Sequence, residues 1–136
     1  GKVEQVLAAD AGSTYMLDAD IELAGDAAGF SVKLAEDAES GLAYEFRANL
    51  REGKLEFTAA PQYPWFQVNN MGLERPLFFK GESTHHVRLV VDDDIATIFV
   101  DDVALNARFC NKRGQGVALT VTDGTLKCAN ATIASL

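Results

Sequence analysis

The residues best suited to chemistry lie between Pro61 and Leu77, where PQYPWFQVNNMGLERPL holds all three prolines and the single tryptophan of the chain. Proline fixes φ and lacks a backbone donor, so this segment cannot be a central strand and must run over a surface. Tyr63, Trp65 and Phe66 supply flat apolar area, Asn69 and Asn70 supply amides, and Glu74 and Arg75 place opposite charges side by side. A sugar ring offers an apolar C–H patch and a rim of hydroxyls, and this set of side chains matches both. The alternative is a long loop folded over an open end of the core, since tryptophan is amphipathic and often half-buried.

Charge in the middle of a strand is the second signal. Glu45 and Arg47 fall on the outer face of an alternating stretch in which Leu42, Tyr44 and Phe46 point inward. Exposed charge on a rigid sheet can grip hydroxyls; the alternative is a solvated ion pair worth about 0–1 kcal/mol. Phe99 shares the polar side of its strand with Thr97 and Asp101. It must be offered to a ligand or covered, and the Pro61–Leu77 segment is the natural cover.

Catalytic and metal chemistry find less support. Glycoside hydrolysis needs two facing carboxylates, but 20 acidic residues make that count uninformative, and most of them fall in turns, as Glu36, Asp37, Glu39, Asp92 and Asp123 do. Neighbours on a strand point to opposite faces, so His85 and His86 are badly placed to share a metal. The Asp92–Asp94 run lacks the spacing and glycine of a calcium loop. No cofactor is expected, with a structural calcium gathered from scattered carbonyls and carboxylates as the alternative. There is no nucleophile elbow, phosphate loop or dinucleotide fingerprint, and the chain is not expected to be an enzyme by itself.

The elements that must position these residues are strands. Period-two alternation recurs and no amphipathic stripe persists over three helical turns. Tyr15, Leu17, Ala19, Ile21 and Leu23 share one face of the first long strand; Phe30, Val32 and Leu34, then Leu55 and Phe57, repeat the pattern. Val87, Leu89 and Val91, then Ala96, Ile98 and Val100, flank the acidic turn at Asp92–Asp94. Val117, Leu119 and Val121 precede Asp123-Gly124, read as a tight hairpin turn, and a last strand from Leu126 to Ile133. Val3–Ala9 fits a strand or a short helix. Short strands at this spacing predict an all-β, two-sheet antiparallel β-sandwich occupying residues 1–136 as a single domain.

Bulk composition bounds the partners. Twelve basic against 20 acidic residues give a net charge of −8, which repels phosphate backbones and anionic lipid, so neither nucleic acid nor membrane is an expected partner. No apolar run nears the roughly 20 residues of a membrane-spanning helix. Cys110 and Cys128 match no metal-ligand spacing and read as structural thiols, paired or not. The start at Gly1 shows no charged and apolar leader, so no signal peptide is expected there. Asn130-Ala131-Thr132 is a sequon that matters only in a eukaryotic secretory setting.

The stretch ERPLFFKGESTHHVRLVVDDDIATIFVDDVALNARFCNKRGQGVAL, from Glu74 to Leu119, resembles the C-terminal β-sandwich of glycoside hydrolase family 32, the invertase, levanase and inulinase group. Ala96 to Asp102 and Ala104 to Cys110 stand where that family has a "V-F-V-N-D" strand and its successor. The ending GVALTVTDGTLKCANATI is similar to the ending of that sandwich and of related concanavalin-like and laminin-G-like domains. In the family the catalytic carboxylates belong to a preceding propeller, so the resemblance implies a non-catalytic sandwich tethered to a catalytic domain. Relatives in carbohydrate-binding module family 66 bind terminal fructose in a shallow site. The resemblance therefore implies a carbohydrate partner, fructan or a fructose-containing oligosaccharide. Trp65 or Tyr63 would be the apolar platform, and Glu45, Arg47, Asn70, Glu74, Arg75 and Asp101 the hydroxyl partners. A purely structural sandwich and a protein-binding laminin-G-like domain are the competing readings.

Overall fold

The computed structural model describes residues 2–25, 27–37, 39–40, 42–60, 70–77, 84–108 and 114–136. Eleven strands run through them in chain order: β1 (Lys2–Ala8), β2 (Thr14–Ala24), β3 (Gly29–Glu36), β4 (Ala43–Asn49), β5 (Lys54–Ala60), β6 (Asn70–Pro76), β7 (Thr84–Asp92), β8 (Ile95–Val100), β9 (Val103–Arg108), β10 (Gly116–Thr122) and β11 (Thr125–Ser135). They form two antiparallel sheets, a six-stranded one in the order β1-β10-β3-β4-β5-β6 and a five-stranded one in the order β11-β2-β7-β8-β9. The fold is the β-sandwich that alternation predicts, and the ambiguous N-terminal segment is strand.

Alternation becomes packing in the space between the sheets. Leu17, Ile21, Val87, Leu89 and Ile98 from one sheet meet Val32, Phe46, Leu55, Phe57 and Leu119 from the other, all at 1% exposure or less. Phe57 lies 4.8 Å from Phe46 and 5.6 Å from Tyr44, ring centre to ring centre, the second pair nearly parallel. Such contacts add to the roughly 1.5–3 kcal/mol that full burial of a large apolar side chain contributes.

Two elements differ from the sequence reading. Asp123-Gly124 is no hairpin turn, because β10 pairs with β1 and β3 whereas β11 pairs with β2 in the other sheet. The turn crosses between layers, with both residues at positive φ (54° and 78°). The end of the proline-rich segment is also a strand rather than a surface loop. β6 is the edge of its sheet, with Pro76 as its last residue, a place where a missing donor is tolerated.

Candidate functional site: a polar row across the six-stranded sheet

Antiparallel register brings six polar residues into one line. Glu4 pairs with Thr120, Thr120 with Ser31, Ser31 with Arg47, Arg47 with Glu56, and Glu56 with Glu74, so one residue from every strand joins a row crossing the sheet on its outer face. At about 4.8 Å between strands, the row is about 24 Å long. Lys33, Glu45 and Thr58 form a second row beside it.

This face is shielded as well as polar. The buried polar and charged side chains among the described residues are Ser31, Glu45, Glu56, Thr58, Thr120 and His85. All but His85 lie on this face, where simple alternation places water-facing groups. Polar groups removed from water must be bonded, and several bonds are made within this face. The Ser31 and Thr120 hydroxyls bond each other. Glu45 is fully buried, and its Oε1 accepts from Arg47 Nε at 3.0 Å and Nη2 at 2.6 Å. Arg47 Nη1 lies 3.8 Å from Glu56 Oε1. Lys54 Nζ reaches Glu52 at 3.0 Å, Glu56 at 3.5 Å and Glu74 at 3.6 Å. The bond to Glu52 and the charge of Glu56 push its ammonium well above the ordinary lysine range.

Lys33 extends the network toward β1, with Glu4 at 3.2 Å and Glu36 at 3.5 Å. Burial works against its charge, but the bond and charge of Glu4, helped by Glu36, raise its pKa all the same. The Glu36 carboxyl is also raised, by burial first and by the nearby Glu4 second. At the end of the sheet where β3 begins and β4 ends, a depression of about 280 Å³ opens among Ser31, Glu45, Arg47, Asn49, Arg51 and Thr122. Gly29 lies in its wall because a Cβ there would stand 2.4 Å from the Ala48 carbonyl oxygen. Arg47, one-third exposed, is the charged end of the row that reaches this space.

The expected site residues divide. Glu45, Arg47 and Glu74 share the outer face, and Asn70 sits in backbone register with Thr58. Glu45 is not the exposed charge the strand pattern suggested; it is wholly enclosed under Arg47. Arg75 does not converge with Glu74, because adjacent strand residues point to opposite faces and Arg75 is in register with inward-facing Leu55. Its guanidinium donates to the Glu74 carbonyl at 3.3 Å. Asp101 is in the other sheet, at the β8–β9 turn, where Oδ2 meets His85 Nδ1 at 2.8 Å and Oδ1 accepts from the His86 amide at 3.0 Å. That leaves Asp101 fastening a turn to a buried imidazole stacked near Phe30. Tyr63 and Trp65 lie outside the described residues, as do residues 61–69 of the segment expected to cover Phe99; Phe99 is 37% exposed.

Ser31, Thr120, Glu56, Asn49 and Lys54 were missed as site residues. Ser31 alternates with inward Phe30 and Val32, and Glu56 with Leu55 and Phe57, but only register shows that they line up with Arg47. Among the described residues no group of three or more His, Cys, Asp or Glu is arranged to hold a metal.

No family model matches the sequence, and no curated protein matches it by sequence. Solved structures do match. A carbohydrate-binding module, CBM66 from Bacillus subtilis, superposes with a TM-score of 0.76 at 17% identity, over 99% of this chain and 83% of that one. The likeness is one of fold. Sucrose-6-phosphate hydrolase from Lactobacillus gasseri, a family 32 enzyme, matches with a TM-score of 0.66 at 19% identity over all of this chain, which spans only 28% of the hydrolase. The galectin LEC-6 of Caenorhabditis elegans matches with a TM-score of 0.68 at 13% identity, over 97% and 89% of the two chains. The resemblance read from the Glu74–Leu119 stretch thus holds in three dimensions, and the sandwich is one that carbohydrate-binding proteins share.

Proposed function

We propose that the outer face of the six-stranded sheet binds carbohydrate, with Arg47 and the row around it contacting hydroxyls. On this reading the chain is a non-catalytic module for fructan or terminal fructose, attached to a glycosidase. The observation that carries it is the in-register row of polar side chains, with Ser31, Thr120 and Glu56 buried at its centre and Glu45 enclosed beside it, next to a depression near the lower end of small-ligand pocket sizes, about 300 Å³. A face with no binding task gains nothing by enclosing Glu45 and Glu56, since a buried ion pair is seldom more stable than apolar packing of the same volume. Similarity in fold to the CBM66 module supports carbohydrate as the ligand, and the family resemblance of the Glu74–Leu119 stretch is the ground for fructan as the sugar.

Affinity in a wet, shallow, hydroxyl-lined site falls in the millimolar to micromolar range, because each bond to the sugar replaces one to water. Calorimetry against fructose, levan and inulin, with xylan and cellulose as controls, tests the reading. Arg47→Lys keeps the charge but loses the planar fork, and is expected to weaken binding about tenfold, or 1.4 kcal/mol, with the fold retained. Absence of heat with every sugar, or an affinity indifferent to Arg47, would remove this face from the function.

A further inference from the structure

We propose that the sugar unit seated in the depression of the six-stranded sheet carries an anionic oxygen group, a phosphate or a carboxylate. The inference rests on the carbohydrate reading of that face and names the ligand class that the face selects. The depression begins as the gap left by a missing side chain. Thr122, Gly29 and Asn49 lie side by side in register on β10, β3 and β4, in the row next to that of Thr120, Ser31 and Arg47. Gly29 places nothing between its two neighbours, and a Cβ there would stand 2.4 Å from the Ala48 carbonyl oxygen, so no side chain can fill the gap without moving backbone. The space of about 280 Å³ beside it is walled by Ser31, Arg47, Asn49, Arg51 and Thr122.

What these walls offer is donors. Asn49 Oδ1 accepts from the Glu52 amide at 3.1 Å, which leaves Nδ2 as its open group. Arg47 spends Nε and Nη2 on Glu45, and its Nη1 has only an ion pair with Glu56 at 3.8 Å among the described residues. Arg51, 69% exposed, reaches Asp123 through Nη2 at 3.3 Å and keeps Nε and Nη1 for a ligand. Each carboxylate nearby is already held by a cation: Glu45 by Arg47, Glu52 by Lys54 at 3.0 Å, and Asp123 by Arg51. A neutral hydroxyl brings a hydrogen as well as lone pairs, and here that hydrogen competes with those cations or turns to the Ser31 and Thr122 hydroxyls. A carboxylate or phosphate brings acceptors alone, and its charge roughly doubles the strength of each bond. The net charge of −8 opposes any anion at long range, but the Debye length at physiological salt is about 8 Å, and the donors in the depression act at contact.

Calorimetry with two matched pairs, fructose against fructose 6-phosphate and glucose against glucuronate, tests the inference. The anionic member of at least one pair should bind at least about tenfold more tightly, and the pair that shows it tells phosphate from carboxylate. Asn49→Asp keeps the acceptor for the Glu52 amide and replaces the open donor with a carboxylate oxygen, whereas Arg51→Gln removes an exposed guanidinium. Each should cut the preference to about threefold or less, with folding checked by urea unfolding. Arg88→Gln, on the other sheet, should leave the preference unchanged. The preference should also shrink as sodium chloride is raised. Equal affinities within both pairs would overturn the inference and leave the carbohydrate reading standing, and a preference that survives both substitutions would overturn it as well. Absence of heat with all four sugars and with the fructans would remove the reading and the inference together.

Discussion

Glu45 and Arg47 stand two positions apart on β4, and one is fully enclosed while the other is one-third exposed. Arg47 reaches the depression; Glu45 fixes the guanidinium from behind with a two-donor contact. Their effects on substitution should therefore separate. Removing Glu45 deletes an enclosed side chain and the two-donor contact, while Arg47 keeps water and Glu56, so Glu45→Ala is expected to cost about 1–3 kcal/mol of stability in urea unfolding. Arg47→Lys should cost less stability and more sugar affinity. Equal, small stability losses for both would mean that the pair is merely a solvated surface contact. The sequence showed that these two residues share the outer face. It could not show that Glu45 is buried, because burial there depends on neighbouring strands and not on alternation within β4.

Strand content was legible in the chain because half-buried strands repeat every second residue, and the inward sets of β2, β3, β7, β8 and β10 are those read from the sequence. Partnership was not legible. Nothing local to Val117–Val121 says that β10 lies between β1 and β3, nor that the next turn leaves the sheet. Adjacent Glu74 and Arg75 likewise looked like one clamp until β6 proved to be strand. The inter-sheet turn is sensitive to a single methyl group. At Gly124, with φ at 78°, a Cβ would stand 2.3 Å from the Ala24 oxygen and 2.6 Å from the Gly25 oxygen. Gly124→Ala should destabilise by at least about 1–3 kcal/mol, read as a lower denaturation midpoint with an unchanged slope. An unaffected midpoint would mean that β11 is not held to β10 through this turn.

For the molecule as a whole, pH acts through the outer face of the five-stranded sheet. His86 there bonds Asp20 through Nδ1 and Asp18 through Nε2, both at 2.9 Å, and Arg88 Nε reaches Asp18 at 3.1 Å. The bond to Asp20 raises the imidazole above its ordinary 6.5, and the same bond lowers the Asp20 carboxyl below 3.8. A raised histidine stabilises fully below its unfolded value and loses that contribution as pH rises through the folded one; a lowered carboxylate loses its contribution as pH falls. Both contributions are complete between the two ordinary values, so the melting temperature should peak in mild acid. His86→Gln should abolish the decline on the alkaline side of that peak, and an unchanged decline would place its origin elsewhere.

The register of the outermost strands reaches from one end of the chain to the other: Gln5 pairs with Leu119, and Tyr15 with Ser135. Each sheet therefore waits on the last strands made. The β3–β4–β5 meander and the β7–β8–β9 meander can assemble from near neighbours. β10 must still slot between β1 and β3 before the larger sheet closes. Pairings of such sequence separation place folding in the slow, millisecond-to-second class, because loop-closure entropy is lost before the distant contacts form. Until β10 arrives, β3 is itself a bare edge of its sheet. The kinetic hazard of this fold is concentrated in that interval, and a chain released before Gly116 would carry it permanently.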